Sequence, residues 1–321
     1  MQTNANSIRV APCVVSDKIY CFDGNKILGM LDGKSSKFEA TDDKTTDGAS
    51  VGRIDFQGQP IPVYQLSKLL GLAQSTRGET DGVAIVIATD SGPQGFIVDD
   101  ALRSREPQRL LPLPTACRNS QHPFFDGVAI WDSDESLSQT HEAVALRLSA
   151  DGLIGSTPKL APSYTETQID VKAFSHMVSD RRRQLMLFDV PHQDWENQII
   201  SVALSVTQVL EIVTPEPLIE IPHAPNGAMG LVHWRDWFIP VIDLTENLAL
   251  GSIPESARRR IVIARDAENL FAFYTSTSIR TLAKPLSDAK AIDMGKISES
   301  KWAKGTFSVS EEVIVLPRLA V

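Results

Sequence analysis

The sequence is poor in several features that would point to an enzyme, a secreted protein or a membrane protein. Cysteine occurs three times in 321 residues, at Cys13, Cys21 and Cys117, and the spacing fits neither a disulfide framework nor a metal-ligand motif. No apolar segment approaches the ~20 residues of a membrane-spanning helix, and the first residues contain no apolar signal-peptide core. We therefore expect a soluble, reduced, cytoplasmic protein.

Clustered positive charge is also scarce. The chain has 40 acidic and 31 basic residues, a formal net charge of −9 and an isoelectric point near 5.2. The basic runs, Arg181–Arg183 and Arg258–Arg260, are interpreted as solvated surface. Nucleic acids and anionic membranes select basic faces, so we expect no nucleic-acid partner and no direct membrane insertion.

Motifs of enzyme active sites are missing as well. The sequence has no glycine-rich phosphate loop and no Gly-x-Ser-x-Gly elbow. His223, His233, Asp236 and Asp243 are close in sequence, but their spacing matches no standard zinc pattern and His233 lies within an apolar segment. We expect no catalytic residue, no metal and no cofactor. An enzyme would instead bind a metal or nucleotide tightly.

What the chain does contain is a long internal duplication. Residues 230–250 repeat residues 52–72 without a gap, at a constant offset of 178 (230 − 52). A period this long indicates a duplicated domain rather than a solenoid. The matched residues are Gly52, Ile61, Pro62, Val63, Leu66, Leu70 and Leu72 with Gly230, Ile239, Pro240, Val241, Leu244, Leu248 and Leu250.

The duplication continues beyond this stretch. After a shift of two residues, Ile85–Asp90 aligns with Ile261–Asp266, because both contain the letters IVIA. The same alignment places Tyr274-Thr275 where the first copy has Val98-Asp99. These runs predict one further pair of matching strands.

The pattern of apolar and polar residues in each copy predicts a β-hairpin with a two-residue turn. In the second copy two apolar segments, Leu231–Trp234 and Trp237–Ile242, are separated only by Arg235 and Asp236. In the first copy the turn is Gln57-Gly58. Primed turns need a positive φ, which glycine adopts freely and aspartate tolerates better than most residues. We therefore expect Asp236 to replace the turn glycine.

The residues beside each turn are expected to face each other across the hairpin. These cross-strand pairs are Trp234 with Trp237 and Phe56 with Gln59. The leucines that follow each hairpin predict a short helix or turn.

Two residue types within the hairpins carry further predictions. Pro62 and Pro240 lack a backbone donor, so each should lie at an edge or a bulge of its sheet. Gly52 and Gly230, at the start of the hairpins, suggest a close approach by another backbone segment.

The repeated stretch resembles the signature of the CheW family, the bacterial chemotaxis adaptors, and of the regulatory domain of CheA kinases. The family pattern is a proline-containing approach, a glycine, an Asn-x-Arg-Gly turn and an x-Pro-Val-x-Asp-Leu strand exit. Ile221–Leu244 carries nearly all of it. The resemblance runs from about Arg183 onward in the second copy and from about Gly52 to Leu148 in the first, where the preceding strands look degenerate.

The resemblance implies an all-β fold of two CheW-like domains, each made of two small SH3-like five-stranded β-barrels. We assign residues 1–154 to the first domain, with a divergent N-terminal part, residues 155–182 to a linker and residues 183–321 to the second domain. The linker predicts a short amphipathic helix capped by Thr165. Its apolar face would contain Ile169, Phe174 and Met177 or Val178.

The resemblance also implies a non-enzymatic adaptor that couples a CheA-type histidine kinase to chemoreceptors. Its partners would be the kinase regulatory domain and the cytoplasmic tips of chemoreceptors. Carried over by position, the partner-binding residues are Gly230, Trp234, Arg235, Asp236 and Trp237 in the second copy and Gly52, Phe56, Gln57 and Gly58 in the first.

Neither turn is the full family version, because the first lacks the arginine and the second lacks the glycine. One alternative is therefore a divergent CheW-like protein that localises or inhibits a motility or surface-sensing assembly without activating a kinase. Another is a hairpin turn that binds no partner.

Overall fold

A computed structural model of the chain describes residues 8–32, 38–39, 50–73, 82–132, 142–155, 184–190, 200–225, 227–250, 258, 260–266, 269–276, 278–282, 289–309 and 312–318. The helix predicted in the linker lies outside these residues. The chain divides into two compact units, the first made of residues 1–113 with 118–162 and the second of residues 163–321 with 114–117. The domain limits proposed from the sequence stay a prediction.

The first unit forms two sheets in its described residues. Their strand orders are β10-β11-β12-β2-β1-β9 and β3-β7-β8-β6-β5-β4. The strands are β1 Val10–Val15, β2 Lys18–Asp23, β3 Ile27–Asp32, β4 Phe38–Glu39, β5 Ser50–Phe56, β6 Gln59–Gln65, β7 Val83–Thr89, β8 Gly92–Val98, β9 Asp100–Ala101, β10 Arg109–Pro112, β11 Phe125–Asp132 and β12 Glu142–Leu148. Short helices cover Leu66–Leu69 and Ala150–Leu153.

The second unit also forms two sheets in its described part. Their orders are β20-β13-β14-β23-β22-β21 and β15-β18-β19-β17-β16. The strands are β13 Leu185–Asp189, β14 Ile200–Ser205, β15 Val209–Val213, β16 Ala228–Trp234, β17 Trp237–Ile242, β18 Arg260–Asp266, β19 Asn269–Thr275, β20 Ile279–Thr281, β21 Lys290–Ala291, β22 Ala303–Val309 and β23 Glu312–Pro317. Short helices cover Leu244–Asn247 and Lys296–Glu299.

The two units share one topology. Strand β1 corresponds to β13, and the later strands correspond in chain order if the two-residue strand β4 is left out. With this correspondence, each strand of the first unit has the same neighbouring strands as its counterpart in the second. The strands β1 to β3, which look degenerate in sequence, therefore take the same places as β13 to β15. The predicted all-β fold in two repeated halves is confirmed. Each half contains two sheets of five or six strands in its described residues, where two five-stranded barrels were expected.

The register of the paired strands corrects the alignment beyond the hairpins. Thr89 pairs with Gly92, and Asp266 pairs with Asn269, so each pair closes a two-residue loop. Strand β18 therefore matches β7 at an offset of 177 (266 − 89), and the predicted two-residue shift is wrong by one residue.

The core explains why identical letters mislead here. In a strand, a shift of one residue moves every side chain to the opposite face. Ile261 packs in the core cluster inside its sheet, and Ala84 does the same in the first unit, whereas Ile85 is not a member of that cluster. By the same register Val98 matches Thr275, not the tyrosine before it.

The two repeated prolines lie where their strands have one neighbour only. The parallel ladder of β6 with β8 begins at Val63, directly after Pro62. The ladder of β17 with β19 likewise begins at Val241, directly after Pro240. Because each proline lies just outside the parallel ladder, its missing N–H removes no hydrogen bond from that ladder. The predicted local edge position of the prolines is confirmed.

All three cysteines are buried and unpaired. Burial raises the pKa of the Cys21 and Cys117 thiols to about 12 and that of the Cys13 thiol well above 9.0. Because the thiolate is the reactive species, these side chains act as small apolar core residues.

The two helices that follow the hairpins differ in their N-caps. Asp243 precedes Leu244–Asn247, and its Oδ1 accepts hydrogen bonds from the backbone N–H groups of Thr245 and Glu246 and from the Thr245 hydroxyl, at 3.0, 3.1 and 2.6 Å. Gln65 holds the matching position before Leu66–Leu69, makes no side-chain cap, and has a buried Oε1 with no partner among the described residues. The first helix therefore begins without the stabilisation that the second has.

Gln65→Asp is expected to stabilise the first unit by about 1 kcal/mol, because the shorter carboxylate can accept from the first helical N–H groups. The measurement is the free energy of unfolding in urea. Gln65→Glu is the matched control, since its carboxylate is as far from the backbone as the glutamine amide. Equal stabilisation by both substitutions would show that charge rather than capping geometry is responsible.

Candidate functional site

The structure forms both predicted hairpins. In β16–β17 Trp234 pairs with Trp237, and in β5–β6 Phe56 pairs with Gln59. Both predicted cross-strand pairs are confirmed. The two tips project from the same place in the two units, because the strands that carry them occupy the same positions in their sheets.

The turn conformations differ from the prediction in the second copy. In the first turn Gln57 and Gly58 have φ values of 56° and 82°, as a type I′ turn requires. In the second turn the residue with a positive φ is Arg235, at 54°, and not Asp236. The sequence lacks a glycine at the second turn position, whereas the structure requires the positive φ at the first.

The two glycines predicted at the partner-binding surface lie away from the tips. Gly52 and Gly230 follow bulges at the start of their hairpins and have φ values of 143° and 150°. A Cβ at Gly230 would lie 2.6 Å from the carbonyl oxygen of Ile219, whose backbone exchanges two 2.9 Å hydrogen bonds with Leu231. The predicted close approach of another backbone is confirmed for Gly230, at the far end of the strand from the turn.

At the second tip three side chains form a cluster that we call the clasp: Glu211, Trp234 and Arg235. The Glu211 Oε2 atom accepts hydrogen bonds from Trp234 Nε1 at 2.9 Å and from Arg235 Nη2 at 3.0 Å. The Arg235 guanidinium lies 4.5 Å from the centroid of the Trp234 ring, in cation–π geometry. Beside the clasp, the Trp237 side chain is 59% exposed.

The clasp joins the two edges of one sheet. Glu211 is on β15 and Trp234 is on β16, the first and last strands in the order β15-β18-β19-β17-β16. The sheet therefore curls far enough for side chains of its edges to meet. Glu211 was missed by the sequence reasoning, because it lies 23 residues before its tryptophan partner and belongs to no motif.

The electrostatics of the clasp favour the ionised carboxylate. The hydrogen bond from Trp234, with the hydrogen bond and positive charge of Arg235, lowers the pKa of Glu211 below its usual 4.5, against an opposing effect of desolvation. Glu211 therefore stays ionised throughout the neutral range and can accept both hydrogen bonds.

Acid should open the clasp. Because the pKa of Glu211 is lower in the folded chain, the clasp is fully formed above the unfolded-state pKa and is lost as the pH falls through the folded value. We expect the indole N–H resonance of Trp234 to shift with a midpoint below pH 4.5. Glu211→Gln is the control and should abolish this transition. A midpoint above that value would contradict the assigned contacts.

The first tip contains none of these charged contacts in its described residues. The Gly58 N–H donates to Asp55 Oδ1 at 3.0 Å, so this turn is fixed by a carboxylate of its own hairpin. Gln57 is exposed and Phe56 is half-buried. The predicted site residues therefore form two tips of different chemistry.

Comparison with known proteins decides the family. The sequence model of the CheW-like domain matches residues 15–157 and 184–320, which together are most of the chain. This chain belongs to the CheW family. It contains two copies of the domain, and the first match begins well before the stretch in which the sequence alone shows the resemblance.

The similar proteins each match a stretch about as long as one copy of the domain. The chemotaxis protein CheW of Rhizobium meliloti (strain 1021) is 22% identical over 138 residues, 43% of this chain and 84% of its own length. A probable chemotaxis protein CheW of Rhizobium etli is 22% identical over 139 residues, with the same coverage. The crystal structure of the scaffolding protein TtCheW from Thermoanaerobacter tengcongensis aligns at 17% identity with a TM-score of 0.37, covering 49% of this chain and 99% of its own.

Two of the four residues weighed as metal ligands have structural roles in this CheW-like chain. Asp243 caps a helix, and the His233 ring stacks on Phe238 with centroids 4.9 Å apart. Within the described residues no group of three or more His, Cys, Asp or Glu side chains is arranged to hold a metal. The helices in this part of the chain are all too short or too polar to span a membrane.

The second CheW-like unit also contains a cavity of about 350 Å³. Its lining residues are Ala203, Leu204, Ser205, Thr207, Gln208, Lys304, Leu316 and Pro317. Half of these are polar, so the cavity is not a purely apolar groove.

Proposed function

We propose that this chain is a non-catalytic adaptor of chemotaxis-type signalling that couples a CheA-type histidine kinase to chemoreceptors. Membership of the CheW-like family supports a scaffold or adaptor role. The finer assignment rests on one observation: the second tip presents an arginine held in place by the clasp, next to an exposed tryptophan. Arginine and tryptophan are among the residues most enriched at the energetic centres of protein interfaces.

The chemistry of the tip fits surface recognition rather than catalysis. Trp237 offers a large, rigid apolar face at low entropic cost. Arg235 is held by Glu211, so less side-chain freedom is lost when a partner binds. We propose the kinase regulatory domain and the cytoplasmic tips of chemoreceptors as partners, in the cytoplasm, without a cofactor, a metal or a nucleic acid.

The partner-binding residues are part of the same proposal, with the second tip in the leading role. Trp234, Arg235, Asp236 and Trp237 would form the docking surface of the second unit. Gly230 and Gly52 would contribute only by shaping the strands that carry the tips.

Calorimetric titration with the regulatory domain of the cognate kinase tests the proposal. We expect micromolar binding by the wild type and at least a tenfold loss with Arg235→Ala, about 1.4 kcal/mol. Gln57→Ala, the matching substitution in the first turn, is the control. No binding by the wild type would refute a kinase adaptor. Binding without kinase stimulation in a reconstituted receptor array would favour a localising or inhibitory protein.

A further inference from the structure

The two tips differ at the position of Glu211 in β15 and Gly29 in β3. The internal sequence repeat does not place these two residues opposite each other. Glu211 pairs with Ile263 directly after a bulge in β15. Gly29 pairs with Val86 directly after the same bulge in β3. Val86 matches Ile263 at the offset of 177 (263 − 86), so Gly29 is the structural counterpart of Glu211. The offset between these two residues is 182 (211 − 29), which explains why the repeat does not reveal the match.

The aromatic residue at each tip contacts this position. A Cβ at Gly29 would lie 2.9 and 3.3 Å from two ring carbons of Phe56, so the phenyl ring rests directly on the glycine. Phe56 matches Trp234. The same pair of positions therefore holds a hydrogen-bonded glutamate and indole in the second unit, and a bare backbone covered by a phenyl ring in the first.

The surroundings reinforce the difference. Leu28 and Met30, on either side of Gly29, are each 46% exposed. The turn residue Gln57 carries no charge, whereas Arg235 at the matching position has a side chain that is 67% exposed. The first tip therefore has apolar side chains beside it, the Asp55 carboxylate at its turn and no guanidinium, whereas the second presents a fixed guanidinium.

We infer that the adaptor docks its acidic partner through the second tip alone, and that Glu211, together with the turn arginine it holds, makes that tip competent where Gly29 and Gln57 leave the first tip without either group. This inference rests on the proposed function and specifies the partner chemistry: a surface carboxylate next to an apolar contact. A guanidinium has five N–H donors in a planar fork that matches a carboxylate. Glu211 accepts a hydrogen bond from Nη2 of Arg235 and so orients the guanidinium. A partner carboxylate therefore meets a donor group that is already oriented.

Transplanting the clasp tests the inference. The recipient is the full-length chain with Arg235→Ala, into which Gly29→Glu, Phe56→Trp and Gln57→Arg are introduced together. Binding to the kinase regulatory domain is measured by calorimetry. We expect Arg235→Ala to weaken binding at least tenfold, Gln57→Ala to change it less than twofold, and the combined transplant to regain at least half of the lost affinity on a logarithmic scale.

Two further observations keep the test decisive. Gly29→Glu alone, in the same Arg235→Ala chain, should regain nothing, because the new side chain meets the Phe56 ring and no arginine is present at either tip. In the combined variant, the indole N–H resonance of the new tryptophan reports whether the second clasp has formed, independently of any partner.

Each outcome has one meaning. A loss with Gln57→Ala equal to that with Arg235→Ala would overturn the inference while leaving the adaptor function in place. So would a transplant that forms the clasp by its indole signal but regains no affinity. A transplant that does not fold leaves the decision to the two single alanine substitutions. A wild type that does not bind at all overturns the proposed function and this inference with it.

Discussion

Replacing Gly230 by alanine is expected to destabilise the second unit by about 3 to 5 kcal/mol. Two costs combine at this residue. Its φ of 150° is rarely accessible to an L side chain, and a Cβ would lie 2.6 Å from the Ile219 carbonyl oxygen. Relief of the collision would move β16 away from Ile219 and break the two backbone hydrogen bonds that join Ile219 to Leu231.

The measurement is urea unfolding followed by tryptophan fluorescence, since four of the five tryptophans lie in the residue range of the second unit. Gly295→Ala is the matched control in the same unit. Gly295 has a φ of 55°, and a Cβ added there would have no atom within 4 Å, so only a backbone cost of about 1 kcal/mol is expected. Equal losses would show that φ alone, and not the close backbone approach, requires glycine.

Asp243→Ala is expected to destabilise the second unit by about 3 kcal/mol. The aspartate is buried, and its Oδ1 accepts three hydrogen bonds at the start of the helix Leu244–Asn247. Alanine would leave two backbone N–H groups and the buried Thr245 hydroxyl without that acceptor. This loss exceeds that of an ordinary exposed cap because water cannot readily replace the carboxylate.

Asp243→Asn separates the cap from the charge. An asparagine carbonyl oxygen can accept the same bonds, so a loss of only about 1 kcal/mol or less is expected in the same unfolding measurement. If asparagine were as damaging as alanine, the negative charge at the helix N-terminus would be the main contribution. A binding assay should show little change with either variant in the folded state, because Asp243 lies outside the clasp.

Much of the fold was predictable because its signals are local. Two apolar segments separated by two polar residues define each hairpin, and the proline before each parallel ladder marks where pairing is one-sided. The repeat at a fixed offset indicates a duplicated domain, and the family signature in Ile221–Leu244 identifies its kind. These features are visible because β-strands and tight turns impose residue preferences over a few neighbouring positions.

Long-range pairing was not predictable in the same way. Identical letters in β7 and β18 favoured an alignment that is one residue out, because four similar apolar residues fit either face of a strand. The turn geometry was also assigned to Asp236 rather than Arg235, because the sequence shows a missing glycine but not which turn position needs a positive φ.

The all-β class, the duplication, the two hairpins and the CheW-like family follow from local patterns of residues. The different chemistry of the two tips is visible only in the folded chain. Glu211 meets Trp234 and Arg235 because the sheet curls its edge strands together, and Gly29 takes the same place under Phe56. Contacts between strands that are distant along the chain depend on register and curvature, which no local pattern encodes.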